Sequence, residues 1–261
     1  MKVVSVQVFG HLQVMEKRRK KPVLVVLSGA GISRESGIQT FRDSGGLWEG
    51  YDVMEVATPE AWASNPSKVL DFYNKRRVQL AGVEPNAAHH ALAELEADFE
   101  VHVVTQNVDD LHERAGSVRV LHLHGQLRQV RPEDDLGLDD SGAITVGSNE
   151  VPGPEVALGD VDARGVQLRP HVVWFGEAVP MMGPASAIVA KADAVLVVGT
   201  SMQVYPAAGL MEFAPANAPL YMVNPDRDAA QGCGKSLTEF YHVPASEGVP
   251  LWALEMRRQF P

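Results

Sequence analysis

The sequence predicts an α/β fold: a Rossmann-like, doubly wound parallel sheet with a smaller module built from two insertions. Three observations carry this expectation. Short runs of β-branched and apolar residues recur at Pro22–Ser28, Val101–Thr105, Val118–His122, Val172–Phe175, Ala194–Val198 and Leu220–Val223. Runs that are apolar on both faces are the mark of strands buried in a parallel sheet. Helical patterns lie between many of these runs, and strands alternating with helices wind a sheet on both faces. Two long segments break the alternation, and insertions of that kind make a second module or a lid.

The helices are placed by their start signals and spacing. Asn86, just after Pro85, caps a helix expected to run to about Asp98. Val108–Ala115, Met182–Lys191 and Tyr205–Phe213 are further candidates. The first interruption, Phe41–Gly82, is loop and then helix, ending in the amphipathic stretch Pro66–Leu80. The second, Arg128–Arg169, is rich in Gly, Pro and Asp and offers no clear strand pairs of its own. The expected division is therefore a sheet domain from 20–40, 86–127 and 170–261, a helical insertion at 41–85, and a second insertion at 128–169.

With 261 residues, 45% of them hydrophobic, the chain can bury a full core. A net charge of −10 favours solubility over a nucleic-acid partner, which would select a basic face. No apolar run approaches the ~18 residues of a membrane span. Cys233 is the single cysteine, so no intrachain disulfide and no cysteine-rich metal centre can form. That usage fits a reducing compartment, and a cytoplasmic location is expected. Residues 1–19 stand apart as a leader. Val4, Val6 and Val8 alternate with polar residues, the basic run Lys17–Lys21 follows, and Met15 is expected to be the true start.

Three strand ends carry loops that suit a nucleotide. Pro22–Ser28 runs into Gly29-Ala30-Gly31-Ile32-Ser33, where glycines let backbone N–H groups approach a pyrophosphate. The hydride-transfer fingerprint would place a third Gly or Ala at position 34 and an acidic residue ending a second strand. Arg34 and the loop Phe41-Arg42-Asp43-Ser44-Gly45-Gly46-Leu47-Trp48 stand there instead, so a dinucleotide would be held in another way. Gly199-Thr200-Ser201 and Asn224-Pro225-Asp226 end two further strands, where ligands of parallel sheets sit. Taken singly, each loop is also ordinary turn chemistry.

A polar cluster follows. Thr105-Gln106-Asn107-Val108-Asp109-Asp110 ends a strand with amide and acid side chains that are costly to bury unpartnered. A bound amide such as nicotinamide would satisfy them. His122-Leu123-His124-Gly125 closes the next strand, and with alternation His122 and His124 face one side. A histidine at a strand's end, followed by Gly, suits a general base at neutral pH. With nine histidines in the chain, a structural role for such a residue is the commoner one. His89 and His90 lie mid-helix and read as structural.

These blocks, together with Ser36-Gly37-Ile38 and Phe175-Gly176-Glu177, resemble the sirtuin family in content and order across roughly residues 22–226. The resemblance implies an enzyme that cleaves nicotinamide from NAD and moves an acyl group from lysine to the ribose, giving O-acyl-ADP-ribose. It implies that Gly29, Ala30, Gly31, Ser33, Phe41 and Arg42 hold the pyrophosphate and nicotinamide ribose. Gln106 and Asn107 would hold that ribose, and Asp109 the carboxamide. His124 would be the catalytic base. Gly199, Thr200, Ser201, Asn224 and Asp226 would face the adenosine half, with Ser246 and Glu247 flanking adenine. Val173, Phe175 and Gly176 would pair with an acylated lysine peptide as an added strand.

Two departures matter. Most family members hold a structural zinc on two cysteine pairs between the histidine and Phe-Gly-Glu motifs, and Arg128–Arg169 contains no cysteine. No zinc is expected, and Asp134, Asp135, Asp139 and Asp140 read as a solvated face. Gln39-Thr40 replaces the commoner Pro-Asp and, with Tyr73-x-x-Arg76, resembles the desuccinylase and demalonylase branch. From spacing alone, Tyr73 and Arg76 are a core tyrosine beside a surface arginine on one helix face. The competing functions are an NAD glycohydrolase or mono-ADP-ribosyltransferase, and a non-catalytic sensor of NAD or ADP-ribose. The intact His124 and Asp109 speak against both.

Overall fold

The structure is a computed structural model that describes residues 20–39, 47, 48, 50–135, 149, 150 and 155–261. The leader, Phe41, Arg42, Asp139 and Asp140 lie outside the described residues. The main sheet has six parallel strands in the order Glu239–Tyr241, Leu220–Val223, Ala194–Val198, Val23–Ser28, Glu100–Thr105, Val120–His122. Val23–Ser28 lies inside the sheet, and every residue of it is buried. Leu24 and Val26 enter one core with Leu92, Leu95 and Trp252. Val23, Val25 and Leu27 enter another with Val189, Val197 and Met222. A strand covered on both faces must be apolar throughout, which is why its sequence shows no alternation.

From Val23–Ser28 the chain steps outward through Glu100–Thr105 and Val120–His122, then returns to Ala194–Val198 on the other side. A crevice opens where the strand order reverses in this way. Gly29 and Gly199 follow the two strands that flank it. The helix after Pro85 runs over Ala87–Leu95, with Asn86 accepting from the Ala88 N–H and His89 Nδ1 accepting from the Asn86 N–H. That reciprocal cap gives His89 the structural role its position suggests. Glu239–Tyr241 and the long helix Ala245–Gln259 carry little signal in the sequence. The strand is three residues long, and the helix starts at Pro244 without a side-chain cap and contains Pro250.

Two expectations are corrected. Val172–Phe175 is not a strand of the parallel sheet. The strand is Leu168–Val172, and it pairs antiparallel with Gly125–Pro132 in a second sheet that also includes Asn149–Glu150. The second insertion therefore does have strand pairs of its own. Polar Arg169 and His171 and the donor-less Pro170 hide this strand in the sequence, although all five of its residues are buried.

Both insertions share a third core. Trp62, Val69, Phe72 and Tyr73 come from the first, and Leu127, Val130, Val156 and Trp174 pack on them. Polar bonds fasten the two halves: Asn74 Nδ2 donates to Val156 O at 3.0 Å, and Trp62 Nε1 to Glu133 Oε2 at 2.8 Å. Arg131 and Arg169 are each only 3% exposed, so their charges need a partner inside the module. Glu177 supplies it, with Oε1 at 2.6 Å from Arg169 Nη1 and Oε2 at 3.2 Å from Arg131 Nη2. The Arg169 guanidinium also lies 3.3 Å from the Trp174 ring centroid. Deleting that carboxylate would leave two buried cations and cost about 3–5 kcal/mol.

The insertion has no cysteine, and among the described residues no group of three or more His, Cys, Asp or Glu side chains converges. Asp134 instead pairs with Arg164 at 2.8 Å. A chelator is therefore expected to leave the melting temperature unchanged. One equivalent of tightly held zinc by elemental analysis would overturn this.

Candidate active site

Three loops meet at the crevice. The chain leaves Val23–Ser28 at Gly29 and enters a 3-10 helix, Ala30–Ser36. Gly29 N–H donates to Val198 O at 3.0 Å and Gly31 N–H to Gly199 O at 2.8 Å. A Cβ on Gly31 would lie 2.7 Å from Gly199 Cα, and Gly199 itself has φ of 63°. Glycine is thus demanded here by one loop packing on the other, before any ligand arrives.

Thr200 ties three strand ends together. Its Oγ1 accepts from Gln106 Nε2 at 3.1 Å, and its carbonyl accepts from Asn224 Nδ2 at 2.9 Å. Asp226 accepts from Asp228 N–H at 3.0 Å and so caps the 3-10 helix Arg227–Cys233. Ser201 is half-buried beside Thr200. Ser246 N–H donates to Glu35 Oε2 at 3.2 Å, which pins the start of helix Ala245–Gln259 to the glycine loop's helix. Glu247 is exposed in the first turn.

Asn107 and Asp109 of the polar cluster find partners within the protein. Asp109 Oδ2 accepts from Ser33 Oγ at 2.9 Å, and Asp109 Oδ1 from Leu111 N–H at 3.2 Å. Asn107 Nδ2 donates to Ser33 Oγ at 3.2 Å. Burial pushes the Asp109 carboxyl above the usual range despite those bonds. Deeper still, Ser28 Oγ donates to Thr105 Oγ1 at 2.9 Å and meets His112 Nε2 at 3.0 Å.

The two motif histidines are separated by environment. The strand ends at His122, and His124 lies beyond it, in the turn before Gly125, so strand alternation does not apply. Both rings nevertheless clamp one loop: His122 Nδ1 is 2.9 Å from Asn107 O, and His124 Nδ1 is 3.0 Å from Gln106 O. A carbonyl only accepts, so each Nδ1 carries a proton. At His124, burial lowers the pKa and the Gln106 carbonyl offsets this in part, leaving a neutral ring with its lone pair on Nε2. At His122, burial opposes the charge, but Glu113 Oε1 at 2.7 Å from Nε2 and the Asn107 carbonyl raise the pKa. Glu113 thus favours the charged form of His122, and burial favours the neutral form of His124.

The residues expected to meet the substrate lie along the module. Val173 N–H donates to His124 O at 2.9 Å, and Phe175 N–H to Ala57 O at 3.0 Å. Gly176 has φ of 93°. Tyr73, in helix Pro66–Ala81, is fully buried, and its Oη accepts from Trp174 Nε1 at 3.0 Å. Burial pushes its phenol up, so it stays protonated. Arg76 is half-buried, its guanidinium 5.4 Å from the Phe72 ring centroid. Glu113 and Trp174 were not singled out by the sequence. Glu113 sits on the short helix Leu111–Ala115, and no motif spacing ties it to His122.

A Sir2 family model matches residues 29–206, and the chain belongs to the Sir2 family. It is 56% identical over 202 residues to the NAD-dependent protein deacylase of Helicobacter pylori, covering 77% of this chain and 84% of that one. It is 51% identical over 206 residues to the NAD-dependent protein deacylase of Aggregatibacter actinomycetemcomitans, covering 79% and 94%. The crystal structure of a Sir2 homolog–NAD complex matches with a TM-score of 0.78 at 38% identity, covering 92% of this chain and 91% of that one.

A pH-dependent stability follows from the His122–Glu113 pair. Its contribution is whole below the unfolded histidine value of about 6.5 and is lost as pH rises through the raised folded value. Glu113→Gln removes it, so the melting-temperature gap between wild type and variant should shrink with rising pH. Taking the difference cancels the opposite trend of His89, His112, His124 and His171, all lowered by burial. A gap that stays constant with pH would mean that His122 is neutral.

Proposed function

We propose that this protein is an NAD-dependent protein-lysine deacylase with His124 as its base, acting on succinyl and malonyl lysine and, less well, on acetyl lysine. The carrying observation is the state of His124: a neutral ring, fixed through Nδ1 to the Gln106 carbonyl, with Nε2 left as the ring's acceptor. The names of the Helicobacter and Aggregatibacter relatives and the NAD complex of the Sir2 homolog support the reading. When bound, NAD would supply the ribose carbon that takes the acyl oxygen in exchange for nicotinamide, and with one water consumed to release the amine the products would be nicotinamide, free lysine and O-acyl-ADP-ribose.

The chain's own residues then have distinct tasks. Asp109, oriented by Ser33 and the Leu111 N–H, accepts from the carboxamide. Gln106 and Asn107 contact the ribose next to it, and His124 Nε2 takes the proton of a ribose hydroxyl. Gly29, Ala30 and Gly31 would face the phosphates, and Phe41 and Arg42, outside the described residues, are given the same task by the family motif. Gly199, Ser201, Asn224, Asp226, Ser246 and Glu247 serve the adenosine half. Val173, Phe175 and Gly176 line the peptide, which is an acylated lysine protein. Tyr73 and Arg76 meet the distal carboxylate of the acyl group, since a guanidinium offers paired donors that match it. Among the described residues no helix is long and apolar enough to cross a membrane, and the cytoplasm is the location we assign.

His124→Ala is expected to lower deacylation by about 10²–10⁴-fold with little change in melting temperature, because a half-buried turn residue contributes little core. Deacylation at the wild-type rate would remove the mechanism. Nicotinamide release that does not depend on acyl peptide would point to a glycohydrolase instead. Bonds to a charged group are worth roughly 1.5–3 kcal/mol, so Arg76→Met should cut kcat/KM for succinyl-lysine at least about tenfold and spare acetyl-lysine. Equal losses on both peptides would leave Arg76 a purely structural residue.

A further inference from the structure

Glu177 closes the Phe-Gly-Glu motif, yet it points away from the crevice and into the module. Its carboxylate holds three groups at once. Arg169 reaches it with Nη1 at 2.6 Å and Nη2 at 3.1 Å, and Arg131 with Nη2 at 3.2 Å. The backbone N–H of Trp174 donates to Oε2 at 2.8 Å. Trp174 is therefore fixed twice, by its own N–H on the carboxylate and by the Arg169 guanidinium stacked on its ring. The indole carries the arrangement onward, because Nε1 donates to Tyr73 Oη at 3.0 Å, across 101 residues of sequence.

We infer that Glu177 is a positioning residue for the acyl-lysine site: it sets the Trp174 indole, and the indole sets the direction of the Tyr73 hydroxyl. This rests on the proposed role of Tyr73 toward the acyl group. Three features make the path a mechanical one. Glu177 is buried enough that Arg169 and Arg131 hold it ionised against the pull of burial, so its acceptor oxygens persist at neutral pH. Trp174 is 2% exposed and Tyr73 is wholly buried, so neither ring has room to turn independently. A phenol that accepts one bond from a fixed donor has its remaining donor direction narrowed to an arc. The two arginines come from strands Gly125–Pro132 and Leu168–Val172, so the sheet of the second insertion is coupled to acyl choice without touching the acyl group.

The test uses the full-length protein, NAD, and matched succinyl-lysine and acetyl-lysine peptides. Trp174→Phe keeps a ring for Arg169 and leaves the ion pairs in place while removing the indole donor. It is expected to lower the succinyl-to-acetyl ratio of kcat/KM by about tenfold, the value of one lost bond beside a charge. Glu177→Gln, checked for folding by circular dichroism, should lower the ratio in the same direction. The double variant should lose no more than the stronger single one, since residues on one path are not additive. Independent, multiplying losses, or an unchanged ratio in Trp174→Phe, would overturn the inference. If Glu177→Gln does not fold, the Trp174→Phe ratio decides alone. A wild type that prefers acetyl-lysine would discard the acidic-acyl reading instead. In that case positioning is still read from the peptide KM on acetyl-lysine, where a non-additive rise supports it and an additive one overturns it.

Discussion

Gly31 donates to the carbonyl of Gly199, and the two backbones lie too close for a Cβ on either. That contact joins the loops after the first and fourth strands of the sheet's wind, where the order of strands reverses. The crevice, the Thr200 network and the placement of the polar cluster all depend on it. A side chain at either position would part the loops and with them the three strand ends that Gln106, Thr200 and Asn224 hold together. The same glycines that suggest phosphate binding are thus first a packing requirement, and the two uses are compatible because both need bare backbone.

Within that frame, chemistry is assigned by surroundings more than by residue type. His122 and His124 make the same bond from Nδ1, to consecutive carbonyls. What separates them is the group at Nε2. A carboxylate there favours the charged form of His122, and the ring braces the loop that carries Asn107 and Asp109. At His124 burial favours the neutral form, and among the described residues no carboxylate bonds the ring. Two identical side chains two positions apart therefore sit in opposite electrostatic surroundings.

The module beside the crevice is held by charge and packing. Glu177 compensates two arginines that the antiparallel strands bury, and the aromatic layer of Trp62, Tyr73 and Trp174 closes the core between the insertions. Buried ion pairs of this kind contribute little net stability, but removing one member is costly. They fix geometry, and here the geometry runs from the insertion's sheet to the helix that carries Tyr73 and Arg76.

The parallel sheet is legible in the sequence alone, because a strand covered on both faces has to be apolar along its whole length, as Val23–Ser28 and Ala194–Val198 are. So are the cap at Asn86 and the order of the polar strand ends, since both are local signals. The sequence misplaced Leu168–Val172, whose Arg169 is buried only because Glu177 compensates its charge, a condition no window of sequence contains. It missed the strand Glu239–Tyr241 and the helix Ala245–Gln259, too short or too poorly capped to announce themselves. It could name His124 but not its protonation. That state depends on a carbonyl 18 residues away at Gln106, and the contrasting state of His122 on Glu113, nine residues back on a separate helix. Only the tertiary structure brings those partners within hydrogen-bond reach, and a pKa is a property of that reach and of burial, which composition and spacing do not encode.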